Sequence, residues 1–127
     1  MAYTHAITLT HSISNGTTTL AKGVPVAFSK SQVDTDGKHA VSTLKLSTST
    51  TAVKISSGSV TFGEAFVTIA NLSSTTGEDA IIMSAATGGT EITRIKPTGG
   101  VQLCRTGDVY AYSLSGTPTL QAIFAQV

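Results

Sequence analysis

Between residues 80 and 113 the chain is cut into four short segments by glycine and proline, a punctuation that leaves no room for helices of ordinary length. Residues 80–86 are apolar, Gly88-Gly89 turns them, and 90–96 return. Pro97-Thr98-Gly99-Gly100 turns the chain into 101–105, and Thr106-Gly107-Asp108 turns it into 109–113. Short β-rich segments with turn signals at this spacing are the pattern of an antiparallel sandwich or barrel.

The rest of the chain reads the same way. Tyr3, His5, Ile7, Leu9, His11 and Ile13 alternate with small polar residues, a period of two that predicts one long half-buried strand. Asn15-Gly16 follows, the strongest two-residue hairpin signal, with residues 17–20 as the return strand. Residues 24–30 carry Pro25 and so form an edge strand or begin at it. Residues 34–37 read as a turn, 39–46 as a strand, and the five hydroxyl residues 47–51 as a connection. In 52–56, Val53 and Ile55 are expected to point inward. A bulge or turn is expected at Gly63-Glu64, a central strand over 66–72, and a mobile surface loop over 73–79. Residues 119–127 alternate Leu120, Ala122 and Phe124 with Gln121, Ile123 and Ala125. No stretch shows helical periodicity. The expectation is a single all-β domain over residues 1–127, an antiparallel β-sandwich of jelly-roll topology with about nine or ten short strands.

Charge narrows the partners. Net charge is +1, 12% of residues are charged, and no two basic residues are adjacent. A nucleic-acid partner needs clustered Lys and Arg, so none is expected. Ser and Thr supply much of the polarity, and a surface with little charge is poorly protected against association. Part of it is therefore expected to be covered by other protein. Met1-Ala2-Tyr3-Thr4-His5 has no basic or apolar region of a signal peptide, and no apolar run approaches the ~20 residues of a membrane span. A soluble chain made and assembled in a cytoplasm is expected.

Each candidate site has a plainer reading beside it. Cys104, the one cysteine, excludes an internal disulfide framework and reads as a buried or semi-buried structural thiol. Asp34-Thr35-Asp36-Gly37 opens like a calcium loop, but Lys45 stands where the twelfth ligand belongs, and turn geometry explains the residues. His5 and His11 lie roughly 20 Å apart along one strand and cannot share a metal within one chain. Of the acidic residues, Asp34, Asp36, Glu64, Glu78, Asp79 and Asp108 fall in predicted turns and Glu91 in a strand, a pattern of solvation rather than of a catalytic pair. No nucleophile elbow, zinc-protease or phosphate-loop motif occurs, so no catalytic residue, cofactor or metal is expected. Asn15-Gly16-Thr17 and Asn71-Leu72-Ser73 match the glycosylation pattern by chance in a Thr/Ser-rich chain. Tyr110 and Tyr112 share a strand face, as a core, an interface or a sugar platform.

One run of the C-terminal half has a familiar order: Ala70-Asn71-Leu72, a polar loop, Ile81-Ile82-Met83, then Arg94-Ile95-Lys96-Pro97-Thr98-Gly99-Gly100, Val101-Gln102-Leu103 and Tyr110-Ala111-Tyr112-Ser113. It resembles the small β-sandwich virion proteins of tailed bacteriophages, with Thr98 inserted into their R-I-K-P-G-G-type strand end. The resemblance implies a non-enzymatic virion structural protein, foremost a capsid decoration (cement) protein. Its partners would be the major capsid protein or other virion proteins, and its form a homotrimer on the shell's three-fold positions. The alternative it implies is a tail, neck or fibre component that recognises the host or binds carbohydrate. On this reading the first and last strands pair between subunits by sheet augmentation, and the candidate interface residues are Tyr3, Ile7, Leu9, Tyr110, Tyr112 and Phe124.

Overall fold

A computed structural model describes residues 3–9, 13–14, 19–21, 28–34, 39–58 and 65–126, with the strands before residue 38 and Gln126 given by their backbone. These residues contain strands and no helix, and so none that could cross a membrane. The chain divides into two compact units, residues 1–37 and 38–127.

In the first unit, β1 (Tyr3–Leu9) and β4 (Phe28–Asp34) pair antiparallel over seven residues, from Tyr3 opposite Asp34 to Leu9 opposite Phe28. A short second ribbon joins β2 (Ile13–Ser14) to β3 (Thr19–Ala21). The alternation that begins at Tyr3 therefore forms a strand over Tyr3–Leu9 whose partner is β4, while Ile13 and Ser14 pair with the segment after Asn15-Gly16, as the hairpin signal predicts. Asp34, expected in a turn, is the last residue of β4. Asn15-Gly16, Pro25, Asp36-Gly37, His11 and Gly63-Glu64 lie outside the described residues.

The described residues of the second unit form eight strands: β5 (His39–Lys45), β6 (Val53–Lys54), β7 (Ala65–Asn71), β8 (Ala80–Met83), β9 (Glu91–Ile95), β10 (Gly100–Arg105), β11 (Tyr110–Tyr112) and β12 (Thr119–Gln126). They form two antiparallel four-stranded sheets, ordered β10-β7-β12-β5 and β6-β11-β8-β9. The pairings nest: β5 with β12, β6 with β11, β7 with β10, and β8 with β9. Lys45 stands opposite Thr119 and Lys54 opposite Tyr110, so the chain carries as many residues on one side as on the other between these two pairs.

Both sheets contribute to one core, in a sandwich-like arrangement. Val67 and Ile69 of β7 and Leu120, Ala122 and Phe124 of β12 join Ala80 and Ile82 of β8, Ile95 of β9 and Ala111 of β11. The alternation of β7 is complete: Ala65, Val67, Ile69 and Asn71 are buried and the residues between them half-buried. Period-two patterning forces this outcome once one face meets a core. The same rule places Cys104. Val101 and Leu103 pack against the core, so Cys104 points out and is exposed, contrary to the expected burial. Val53 is a second correction. Ala52 and Ile55 are buried while Val53 is 51% exposed, because β6 is two residues long and the pleat does not extend through it. The backbone N–H of Ile55 donates to Val109 O instead.

Candidate interaction surface

The outward side of the β10-β7-β12-β5 sheet is almost without charge. Register sets its side chains in rows across the four strands. One row runs Val41, Ile123, Thr68, Gln102; the next Thr43, Gln121, Ala70, Gly100; the third His39, Ala125, Phe66, Cys104. Among the described residues, Lys45 at the end of β5 is the one fully charged group on these rows, and they hold no carboxylate. Val41 and Ile123 are direct cross-strand neighbours, 65% and 44% exposed, and form the apolar centre of these rows.

The other sheet is the opposite. All three ion pairs found among the described residues belong to it or its connections: Lys54 with Asp108 at 3.2 Å, Arg94 with Glu91 at 3.2 Å, and Lys96 with Asp79 at 2.7 Å. Charge is thus segregated to one side of the second unit. Exposed ion pairs add little to stability, but charge keeps a surface solvated and discourages association.

The edges of the neutral sheet also differ. β10 ends at Arg105, whose Nε is buried without a hydrogen-bond partner on the inward side, and an inward-pointing charge is a device that discourages edge pairing. β5 runs seven residues in unbroken register with no proline or bulge, and its one charge is at its end. Among the described strands of the second unit, its outer edge is unpaired.

The candidate interface residues fall into three groups. Tyr3, Ile7 and Leu9 lie on β1, which is paired with β4. Tyr110 and Tyr112 are half-buried on the outward face of β11. Ile81, opposite Tyr112 on one side and Arg94 on the other, is only 2% exposed, so the tyrosine face shields an isoleucine more than it offers a platform. Phe124 is a correction: it is fully buried in its own chain and belongs to the core. The strand that carries it lies between β7 and β5, so neither of its edges is open to a neighbouring subunit. No group of three or more His, Cys, Asp or Glu residues able to hold a metal occurs among the described residues.

Asn71, which the sequence offers only as a glycosylation-like match and part of the resemblance run, has a structural role that the sequence does not show. It is 1% exposed at the end of β7, and its amide is fully used. Nδ2 donates to Glu78 O at 2.8 Å and Ile95 O at 3.1 Å, and Oδ1 accepts from Ser73 N–H at 3.0 Å. Its backbone N–H donates to Gly99 O, and its carbonyl accepts from Thr98 N–H at 3.0 Å. The buried side chain thereby ties the β7–β8 loop to the end of β9, and the backbone of the same residue holds the Lys96–Gly99 turn. The loop over 73–79, expected to be mobile, is further held by Glu78, whose carboxylate accepts from the Ser73 hydroxyl and from Thr117 N–H. With both amide hydrogens occupied, Asn71 is not a glycan acceptor in the folded protein.

Compared with known proteins, the chain matches no family model, no curated protein and no solved structure.

Proposed function

We propose that the protein is a non-enzymatic structural component of a tailed-phage virion, a decoration protein that stabilises a capsid shell by covering joints between capsomers. The observation that carries the reading is the segregation of charge: a sheet face with an exposed Val41–Ile123 centre and no carboxylate, against a second sheet that bears the ion pairs. The neutral face turns to the shell, and the ion-paired sheet to solvent. Resemblance of the Arg94–Gly100 run and its neighbours to virion β-sandwich proteins supports the same reading.

Size supports a repeated, individually weak contact. Four strands at ~4.8 Å spacing and about seven residues at ~3.3 Å rise give a face of roughly 400 Å², about half the ~800 Å² per partner of a standard interface. One such contact is modest. An oligomer that engages several sites at once gains avidity without any new contact, so the proposed form is a homotrimer assembled on the virion in the host cytoplasm.

The architecture proposed for residues 38–127 is a jelly roll. Its support is the nesting of β5·β12, β6·β11, β7·β10 and β8·β9, which is what results when one antiparallel ribbon is wrapped so that alternate pairs fall in opposite sheets.

Size-exclusion chromatography with light scattering, followed by co-sedimentation with empty shells, tests the reading. A monodisperse trimer that pellets with shells is expected, and Tyr112→Ala retains this behaviour. A stable monomer left in the supernatant overturns the decoration role. Loss of adsorption to cells in Tyr112→Ala would place the protein in host recognition instead.

A further inference from the structure

At one end of the second unit, off the neutral face, the β7–β8 loop and the β9–β10 turn flank an open cleft of about 410 Å³. Ser74, Thr76, Gly77 and Asp79 line one wall, and Lys96, Pro97 and Thr98 the other. Both walls are fixed by the same residue, since Asn71 bonds Glu78 and Ser73 of the loop and accepts from Thr98 of the turn. Ser73 O also accepts from Thr98 N–H at 2.9 Å, joining wall to wall. A cleft braced in this way loses little freedom when a ligand enters it.

The turn holds a second, independent signal. Gly99 N–H donates to Lys96 O at 2.9 Å, closing a turn with Pro97 at its second position and Thr98 at its third. Thr98 has φ of 63°, and it is the one non-glycine residue with positive φ among those described. A turn of this type favours glycine there, and a β-branched side chain in the left-handed region is a true outlier. Two glycines follow immediately, yet the strained position carries a threonine that lines the cleft. Its hydroxyl donates to Pro97 O at 2.6 Å, which leaves the oxygen's lone pairs to accept from a ligand in the cleft.

We propose that this cleft binds a neutral saccharide. The lining brings together two free-standing hydroxyl residues on the loop, a carboxylate and an ammonium that neutralise each other at 2.7 Å, and the aliphatic ring of Pro97. The Asp79–Lys96 pair favours neither anion nor cation. It leaves ammonium donors and carboxylate lone pairs unused, which suit the paired donor and acceptor character of sugar hydroxyls. The proline ring offers an apolar patch for a sugar's C–H face. The site is separate from Tyr110 and Tyr112 and does not depend on the decoration reading, because it leaves the β10-β7-β12-β5 face uncovered.

The test is two-dimensional NMR of the whole chain with glucose, galactose, N-acetylglucosamine and their disaccharides, added to about 50 mM against a dissociation constant expected on the order of millimolar for so open a site. Shifts confined to residues 74–79 and 96–98 are expected for at least one sugar. Asp79→Ala should weaken binding about tenfold, and Thr98→Gly should weaken it while raising the melting temperature. The absence of shifts with every sugar, shifts centred on Tyr110 and Tyr112, or unaltered binding by Asp79→Ala would each overturn the proposal. Wild-type shell binding in both variants would show that the decoration role stands or falls separately.

Discussion

Replacing Asn71 tests whether one buried amide organises this end of the fold. Asn71→Ala removes two donors and one acceptor, each engaged at 2.8–3.1 Å. A hydrogen bond whose former partner regains water is worth about 1 kcal/mol, whereas a group that stays dry costs about 1–3 kcal/mol. Glu78 O and Ser73 N–H lie in a part-buried loop that water can reach, while Ile95 belongs to a residue 3% exposed. The sum is about 3–5 kcal/mol. Asn71→Asp keeps the acceptor for Ser73 N–H but sets a carboxylate against two carbonyl oxygens, so it should cost at least as much. In urea, with a slope of about 1–2 kcal/mol/M, the midpoint should fall by about 1.5 M or more. Both variants should also loosen the loop wall of the cleft, because the side chain holds Ser73 and Glu78, whereas Thr98 keeps its bonds to the backbone carbonyls of Asn71 and Ser73. A loss below about 1 kcal/mol in both would show that the loop and the turn hold themselves, and the hub reasoning would be refuted.

Three further outcomes follow from the same geometry. Gly116 has φ of 72°, and a Cβ there would overlap the Glu78 carboxylate that accepts from Thr117 N–H, so Gly116→Ala should cost about 1–3 kcal/mol in thermal or urea unfolding, and retention of wild-type stability would contradict this placement of Glu78. Phe124→Ala should cost about 3–5 kcal/mol by opening a core cavity, with any loss of shell binding tracking the loss of folded protein. Shell binding through an uncharged face should change less than about twofold between low and high salt, whereas a steep fall would point to the ion-paired sheet as the docking side.

Much of the second unit was legible because its strands report burial directly. The four segments between residues 80 and 113 are β8, β9, β10 and β11, and the alternation of β12 picks out Leu120, Ala122 and Phe124 as core residues but not Ala125, which is buried on the other face. What failed was whatever depends on a partner distant in sequence. Period two says that Gln102 and Cys104 share a face, but which face is inward is decided by Val101 and Leu103 meeting a core built mostly from other strands. Phe124 looked like an interface residue because it sits near the end of the chain, yet β12 is closed in between β7 and β5. Val53 misled because alternation was extended through a strand of two residues. Asn71 gave no signal at all: its partners lie 2, 7 and 24 residues away, and a glycosylation-like pattern occupied the same letters. The neutral face was foreshadowed by low charge, but its location required the register that aligns β10, β7, β12 and β5.

The central claim is adhesion through that neutral face. The most direct measurement is co-sedimentation with empty shells of wild-type protein and of the double variant Val41→Glu/Ile123→Glu, both first shown to be folded. Two carboxylates at the exposed centre barely touch the monomer but would have to be desolvated in the contact, at several kcal/mol per charge. The wild-type protein is expected to saturate the shells and the variant to remain in the supernatant. Equal binding by the two proteins would contradict the account.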